Sequence, residues 1–269
     1  MDLSVRKARE AYSYRAGVYD QITVEVATEF ALTVFVDGQE FATLVCTPAD
    51  LEELVVGFLA SEGIIKSYGD IQALLISGED GSAYVSLLAP VTLDPAHFAK
   101  RYITSCCGKG RQSFYFYNDA QTVPVTATGP GLQPAAILQL TAALQQESLL
   151  FQITGGTHNA ALCDHIGAII AIRTDIGRHN ALDKLCGYLL MERRSATALV
   201  LAFSGRVSSE VLLKVAKMGV GTVLSKSAPT ELALQMAEEL GVTVVGFVRE
   251  GGFTVYTHPE RVRLPMPLS

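Results

Sequence analysis

Ala198-Leu199-Val200-Leu201-Ala202-Phe203, then Ser204-Gly205-Arg206-Val207-Ser208, then a helical pattern over 209–218: this run sets the grammar of the second half of the chain. A short apolar segment, bounded by Ser and Gly and followed by a helix, reads as a strand buried on both faces that feeds a crossover. The same unit recurs on either side. Apolar 166–172 precedes a helical pattern over 178–193, 222–224 precedes one over 229–240, and 242–248 supplies the next strand. Strands alternating with single helices call for right-handed crossovers, so residues 132–269 are expected to form an α/β unit with a mainly parallel sheet and helices on its faces.

Upstream the pattern is short and mixed. Asp37-Gly38 lies between alternating 33–36 and 40–45 and predicts a hairpin, because this pair tolerates the positive φ of a two-residue turn. Thr47-Pro48 predicts a helix start, with Thr47 capping free amides and Pro48 placed where no amide hydrogen is needed. Leu51, Leu54, Val55, Phe58 and Leu59 share one helical face, and Gly63 ends it. A second hairpin is expected from 71–76 and 83–88, an irregular stretch over 90–131, and a helix from Pro134 to Gln146. The division is therefore a smaller α+β part, 1–131, and the α/β core, 132–269.

Composition narrows the function. The chain has 269 residues, is 49% hydrophobic and carries a net charge of −6, so a whole-surface grip on nucleic acid or an anionic membrane is disfavoured. Its charged fraction of 18% lies below the roughly 25% usual for globular domains, which points to subunit contacts and an oligomer. No apolar run approaches the ~20 residues that span a bilayer, and the charged start is not followed by a signal-peptide core. A cytoplasmic location is the expectation. Five cysteines, an odd number in a long chain, fit reduced thiols.

In open α/β sheets, ligands bind beyond the carboxyl ends of the strands. Those ends carry Arg178 and His179 after Asp175-Ile176-Gly177, then Ser204 and Arg206, then Lys226 between two serines, then Arg249 before Glu250-Gly251-Gly252. Glycines allow close backbone approach, helix N-termini offer free amides, and the cations supply charge, which together predict a polyanion site. Thr154-Gly155-Gly156-Thr157-His158-Asn159 adds a second imidazole nearby, and His158 and His179 are open to ligand binding, proton transfer or a structural role. Cys106-Cys107 is the sharper signal. Neighbouring thiols are ill suited to one tetrahedral zinc or to a mutual disulfide, while Lys109 and Arg111 favour a nucleophilic thiolate. Cys46 and Cys186 read as structural, and Cys163 is open.

These residues together resemble the FdhD-type formate dehydrogenase accessory sulfurtransferases. The likeness runs through 47–65, the Cys loop, 154–160, 175–185, 204–206 and 245–261. It implies a sulfur carrier that accepts persulfide sulfur from a cysteine desulfurase and passes it to the molybdenum (or tungsten) bis(molybdopterin guanine dinucleotide) cofactor of formate dehydrogenase. It further implies binding of guanine nucleotide such as GDP, a core like that of cytidine deaminase, a homodimer, and no structural metal. By position, Cys106 and Cys107 match the mobile Cys loop, and Phe247, Val248, Arg249, Glu250, Gly251 and Gly252 match a cofactor-binding segment. Many members separate their two cysteines by two residues, whereas here they are adjacent. Cys106 is taken as the persulfide carrier, with Cys107 assisting.

Two other classes compete. A deaminase-like zinc hydrolase needs a Glu two residues after its metal ligand and a Pro-Cys-x-x-Cys pair. Ala160 stands where that Glu is required after His158, and the pair is missing. The second competitor is a non-catalytic chaperone that binds the finished cofactor for formate dehydrogenase.

Overall fold

Asp37 and Gly38 both take positive φ, 46° and 79°, the pair of left-handed conformations that a two-residue hairpin demands. The computed structural model describes residues 3–89, 101–103, 124–125 and 131–264. Its elements run β1 (Arg6–Arg15), β2 (Val18–Ala27), β3 (Phe30–Val36), β4 (Gln39–Cys46), α1 (Leu51–Ser61), β5 (Ile71–Ser77), β6 (Ser82–Leu87) and β7 (Arg101–Ile103). They continue α2 (Pro134–Gln146), α3 (Leu149–Thr154), β8 (His158–Cys163), β9 (Ile169–Asp175), α4 (Arg178–Met191), β10 (Val200–Phe203) and α5 (Ser209–Lys217). Last come β11 (Thr222–Ser225), α6 (Glu231–Leu240), β12 (Thr243–Arg249) and β13 (Gly252–Val255). The whole is mixed α/β.

The larger sheet has the order β13-β12-β11-β10-β8-β9. Period-two alternation divides its side chains: Leu201 and Phe203 face a cluster with α4, α5 and α6, while Val200 and Ala202 face Ile137, Leu140 and Leu144 of α2. Three layers result. The expectation of a mainly parallel sheet needs correction, because parallel pairing is confined to β10–β11 and β11–β12. β8 lies antiparallel to both β9 and β10, and β13 is antiparallel to β12. The first strand expected at 166–172 begins instead at Ile169, and Ile166 is exposed in a tight turn. Asp164 builds that turn, since one carboxylate oxygen accepts the amides of Ile166, Gly167 and Ala168. A hairpin with β8, a strand the sequence did not announce, therefore precedes the expected β9–α4–β10 crossover, whose two strands run parallel on either side of β8.

The smaller sheet, β5-β6-β3-β4-β7, packs one face on α1 through Leu32, Val34, Leu44, Val55 and Phe58. The expected cap at Thr47 is also corrected. Asp50, at φ 51°, occupies the N-cap of α1, and Thr47 turns to the other sheet. Its amide donates to Asp175 Oδ2 (2.9 Å), and its hydroxyl oxygen accepts from the Ile176 amide (3.0 Å). β1 and β2 pair as an exposed ten-residue ribbon, with Tyr12 stacked on Tyr19 at 5.4 Å, an element no local signal in the sequence announced.

α4 belongs to both cores. Leu182, Leu185 and Leu189 pack with the larger sheet, while Leu190 and Met191 reach the smaller one. It crosses α1 so closely that a Cβ at Gly57 would stand 1.7 Å from the Asp183 carbonyl oxygen, and one at Gly187 1.9 Å from that of Glu53. Ionic contacts lie along this seam: Arg173 with Glu53 and Asp50, Asp183 with Lys214, and the fully buried Asp175–Lys184 pair at 2.8 Å.

Candidate functional site

Pairing register collects the candidate residues at one end of the larger sheet. Phe203 stands opposite both Ala160 and Ser225, and Leu224 opposite Val245, so the loops after β10, β11 and β12 leave from the same edge. Because β8 runs the other way, its first residue, His158, arrives at that edge too. The join is fixed by reciprocal bonds: the Asn159 amide donates to Ser204 Oγ (2.9 Å), and the Ser204 amide donates to the Asn159 carbonyl (3.0 Å). His158 Nδ1 then lies 3.4 Å from Ser204 Oγ. One strand over, Ser225 Oγ donates to the Gly205 carbonyl (2.7 Å) and accepts from the Ser227 amide (2.9 Å). Gly205 has no room for a side chain, as a Cβ would sit 2.9 Å from the Phe203 ring.

A cavity of about 440 Å³ opens between α2, the α3–β8 turn and these strand ends. His158, Ser204 and Lys226 line it as the sequence led us to expect, and Thr157 and Asn159 join them. Gln145 and Phe151 also line it and were not foreseen. Gln145 sits on α2 beside buried Leu144, and its carboxamide oxygen accepts from Lys226 Nζ at 2.5 Å. Burial, reinforced by the Arg178 cation, holds the His158 imidazole below its ordinary pKa, so it is kept neutral. A neutral ring beside a Ser hydroxyl can donate or accept a hydrogen bond but adds no fixed charge.

The remaining candidates divide. Arg178 opens α4 close enough to His158 for its charge to be felt there. Arg206 is exposed at the β10–α5 turn, just before Ser208, whose hydroxyl caps α5 by accepting the Val211 amide. Arg249, exposed at the end of β12, lies with its guanidinium 5.8 Å from the Phe247 ring centre, and Phe247 itself is at φ 51°. Glu250 and Gly251 form the exposed β12–β13 turn, and Gly252, also exposed, opens β13. Val248 is sealed in the core with α2, so only its backbone can meet a ligand. None of Arg178, Arg206 or residues 247–252 lines the cavity; they belong to its surroundings at the same sheet edge. His179 faces α5 instead, with Nε2 3.2 Å from a Glu210 carboxylate oxygen.

The stretch 175–185 has a second task. Asp175 accepts from the Gly177 amide (2.8 Å) and Asn180 Nδ2 (2.9 Å) besides Thr47 and Lys184. Lys184 Nζ also donates to the carbonyls of Thr47 (3.2 Å) and Thr174 (3.1 Å). Every polar atom of that pair is matched inside the protein. Among the described residues, no group of three or more His, Cys, Asp or Glu is placed to hold a metal ion, and no helix is long and apolar enough to cross a membrane.

Cys106 and Cys107, with Lys109 and Arg111, lie outside the described residues. The other three cysteines are free thiols and buried. Burial pushes each up to about 12, aided by the Asp175 carboxylate at Cys46, by Asp164 and Glu147 at Cys163, and by Asp183 at Cys186. The thiolate is the reacting form of cysteine, so these three are chemically quiet at neutral pH.

Known proteins are similar to this chain. The FdhD/NarQ family model matches residues 27–263. The sulfur carrier protein FdhD of Bacillus subtilis is 52% identical over 98% of this chain and 100% of its own length. That of Halalkalibacterium halodurans is 55% identical over 90% of this chain and 89% of its own. A crystal structure of a candidate formate dehydrogenase accessory protein from Desulfotalea psychrophila superposes with a TM-score of 0.78 at 24% identity, covering 96% of this chain and 100% of that one, and so shares the fold. With a family model covering most of its length and full-length relatives above half identity, the chain belongs to the FdhD/NarQ family.

Proposed function

We propose that this protein is a sulfur carrier that takes persulfide sulfur from a cysteine desulfurase and passes it to the molybdenum or tungsten bis(molybdopterin guanine dinucleotide) cofactor of a formate dehydrogenase. One observation carries the reading: Cys46, Cys163 and Cys186 are sealed with raised thiols, which leaves the sulfur chemistry to Cys106 and Cys107. Relatives at half identity bear the name sulfur carrier protein, in keeping with it. In the first step a Cys106 or Cys107 thiolate attacks the terminal sulfur of the donor persulfide. A new S–S bond forms, the donor's S–S bond breaks, and the donor cysteine leaves as thiolate.

The cofactor is the substrate, and the sheet edge suits it. Arg178, Arg206 and Arg249 stand at the same sheet edge and Lys226 lines the cavity, which offers charge for its phosphates, while the wall of His158, Ser204, Asn159 and Thr157 is neutral and hydrogen-bonding. Segment 247–252 lies on the same edge and fits a supporting contact. The three layers of α2, mixed sheet and α4–α6 are compatible with a core of the cytidine-deaminase type. The low charged fraction favours a homodimer.

Intact-mass analysis after incubation with a cysteine desulfurase and cysteine tests the proposal. Peptide mapping is expected to find the added sulfur on Cys106 or Cys107, with Cys46, Cys163 and Cys186 unmodified. Replacing Cys106 and Cys107 together is expected to abolish formate dehydrogenase maturation while GDP binding persists. Unchanged maturation would turn the reading toward a cofactor chaperone.

A further inference from the structure

The cavity wall holds a polar group that the fold leaves unserved. Thr157 is 5% exposed and lines the cavity, yet its hydroxyl has no hydrogen-bond partner among the described residues. A buried hydroxyl left in that state costs on the order of 1–3 kcal/mol, so each instance asks for an explanation. The hydroxyls of Thr28 and Thr243 share the condition but do not line the cavity. Of the three threonines, Thr157 alone belongs to the cavity lining.

The character of the wall says which part of a molecule that is. Beside Thr157 stand the carboxamides of Asn159 and Gln145, the ring of Phe151 and apolar Leu144, and the one lysine of the wall, Lys226, already donates to Gln145. Such a wall is poor in fixed positive charge and rich in groups that pair with the edge of a flat heterocycle while an aromatic ring covers its face. Phosphates are served better by the arginines outside it.

We propose that Thr157 is a ligand-binding residue whose hydroxyl pairs with the polar edge of the heterocyclic base of the cofactor's nucleotide, inside the cavity, while the phosphates lie outside on the arginines. This inference rests on the reading of the sheet edge as the cofactor site. A hydrogen bond of ordinary net strength, about 0.5–1.5 kcal/mol, corresponds to roughly a 2- to 12-fold change in affinity.

Calorimetry with GDP and with inorganic pyrophosphate on the full chain decides it, using Thr157→Val, Thr157→Ser and, away from the cavity, Thr243→Val. Thr157→Val is expected to lower GDP affinity about 5-fold and leave pyrophosphate affinity unchanged, with the thermal midpoint of the ligand-free protein equal or higher. Thr157→Ser keeps the hydroxyl and is expected to hold GDP affinity within about twofold, and Thr243→Val is expected to change neither affinity. Wild-type GDP affinity in Thr157→Val overturns the proposal, as does a fall in ligand-free stability without a fall in affinity, which would place the partner inside the chain. Equal weakening of GDP and pyrophosphate overturns the assignment to the base, and so does a Thr157→Ser variant as weak as Thr157→Val. A wild-type protein that binds neither probe removes the cofactor site itself and this residue with it, whereas normal wild-type binding with an indifferent Thr157 removes only the latter.

Discussion

The α1–α4 seam and the crevice at the sheet edge use the same residue types in opposite ways. In the seam, Asp175 and Lys184 are both fully buried and surrounded by matched donors and acceptors. In the crevice, His158 has one long contact to Ser204, Thr157 has an unserved hydroxyl, and Arg206 and Arg249 stand exposed. A group whose bonds are all made inside the chain has nothing left for a ligand. The difference teaches that the charged stretch 173–184 is largely scaffold, and that ligand chemistry belongs to its half-satisfied neighbours.

Breaking the seam should therefore be costly in stability. Lys184→Met leaves the Asp175 carboxylate buried without its cation, and the expected loss is about 3–5 kcal/mol, read as a fall in the urea midpoint. Adding Asp175→Asn in the same chain should recover part of it, because the uncompensated charge is gone. A single variant as stable as the wild type would show that the seam is as loosely satisfied as the crevice. Gly187→Ala sharpens the point at the helix crossing. Its Cβ would meet the Glu53 carbonyl oxygen at 1.9 Å, so α1 and α4 must separate, and an overpacking cost of about 1–3 kcal/mol is expected in the same assay.

Much of the fold was legible because its signals are local. β10, β11 and β12 announce themselves as short apolar runs between helices, and Asp37-Gly38 dictates its turn by φ alone. β8 was hidden: His158-Asn159-Ala160-Ala161-Leu162-Cys163 has no β-branched residue, and it is a strand because it pairs on both sides. Thr47 misled because a good local cap was outbid by Asp175, 128 residues away. Asp183 and Lys184 look like solvated helix residues, since nothing near them in sequence announces Lys214 or Asp175 as partners. At the site, His158, Ser204 and Lys226 were found by the rule of strand ends. Gln145 was not, for it reaches the cavity from a helix whose pattern records only its apolar stripe.

The smallest expected effect concerns the proton on His158. Its folded-state pKa is lowered by burial and by Arg178, against an opposing influence of Asp175, while in the unfolded chain it returns to about 6.5. Below about pH 6.5 the unfolded chain therefore binds the proton more readily than the folded one, and stability falls as the solution is acidified through that window. Above it the imidazole is neutral in both states and contributes no slope. His158→Gln should flatten this part of the stability profile between about pH 8 and pH 5, measured by urea midpoints at fixed ionic strength. A phosphate-bearing ligand bound near Arg178 offsets that cation's repulsion, the influence second to burial in keeping the ring neutral, so GDP should bind more tightly toward acid pH in the wild type than in His158→Gln. Identical profiles would mean that His158 is as fully matched by the protein as the groups of the seam, and the contrast between the two regions would then rest on Thr157 alone.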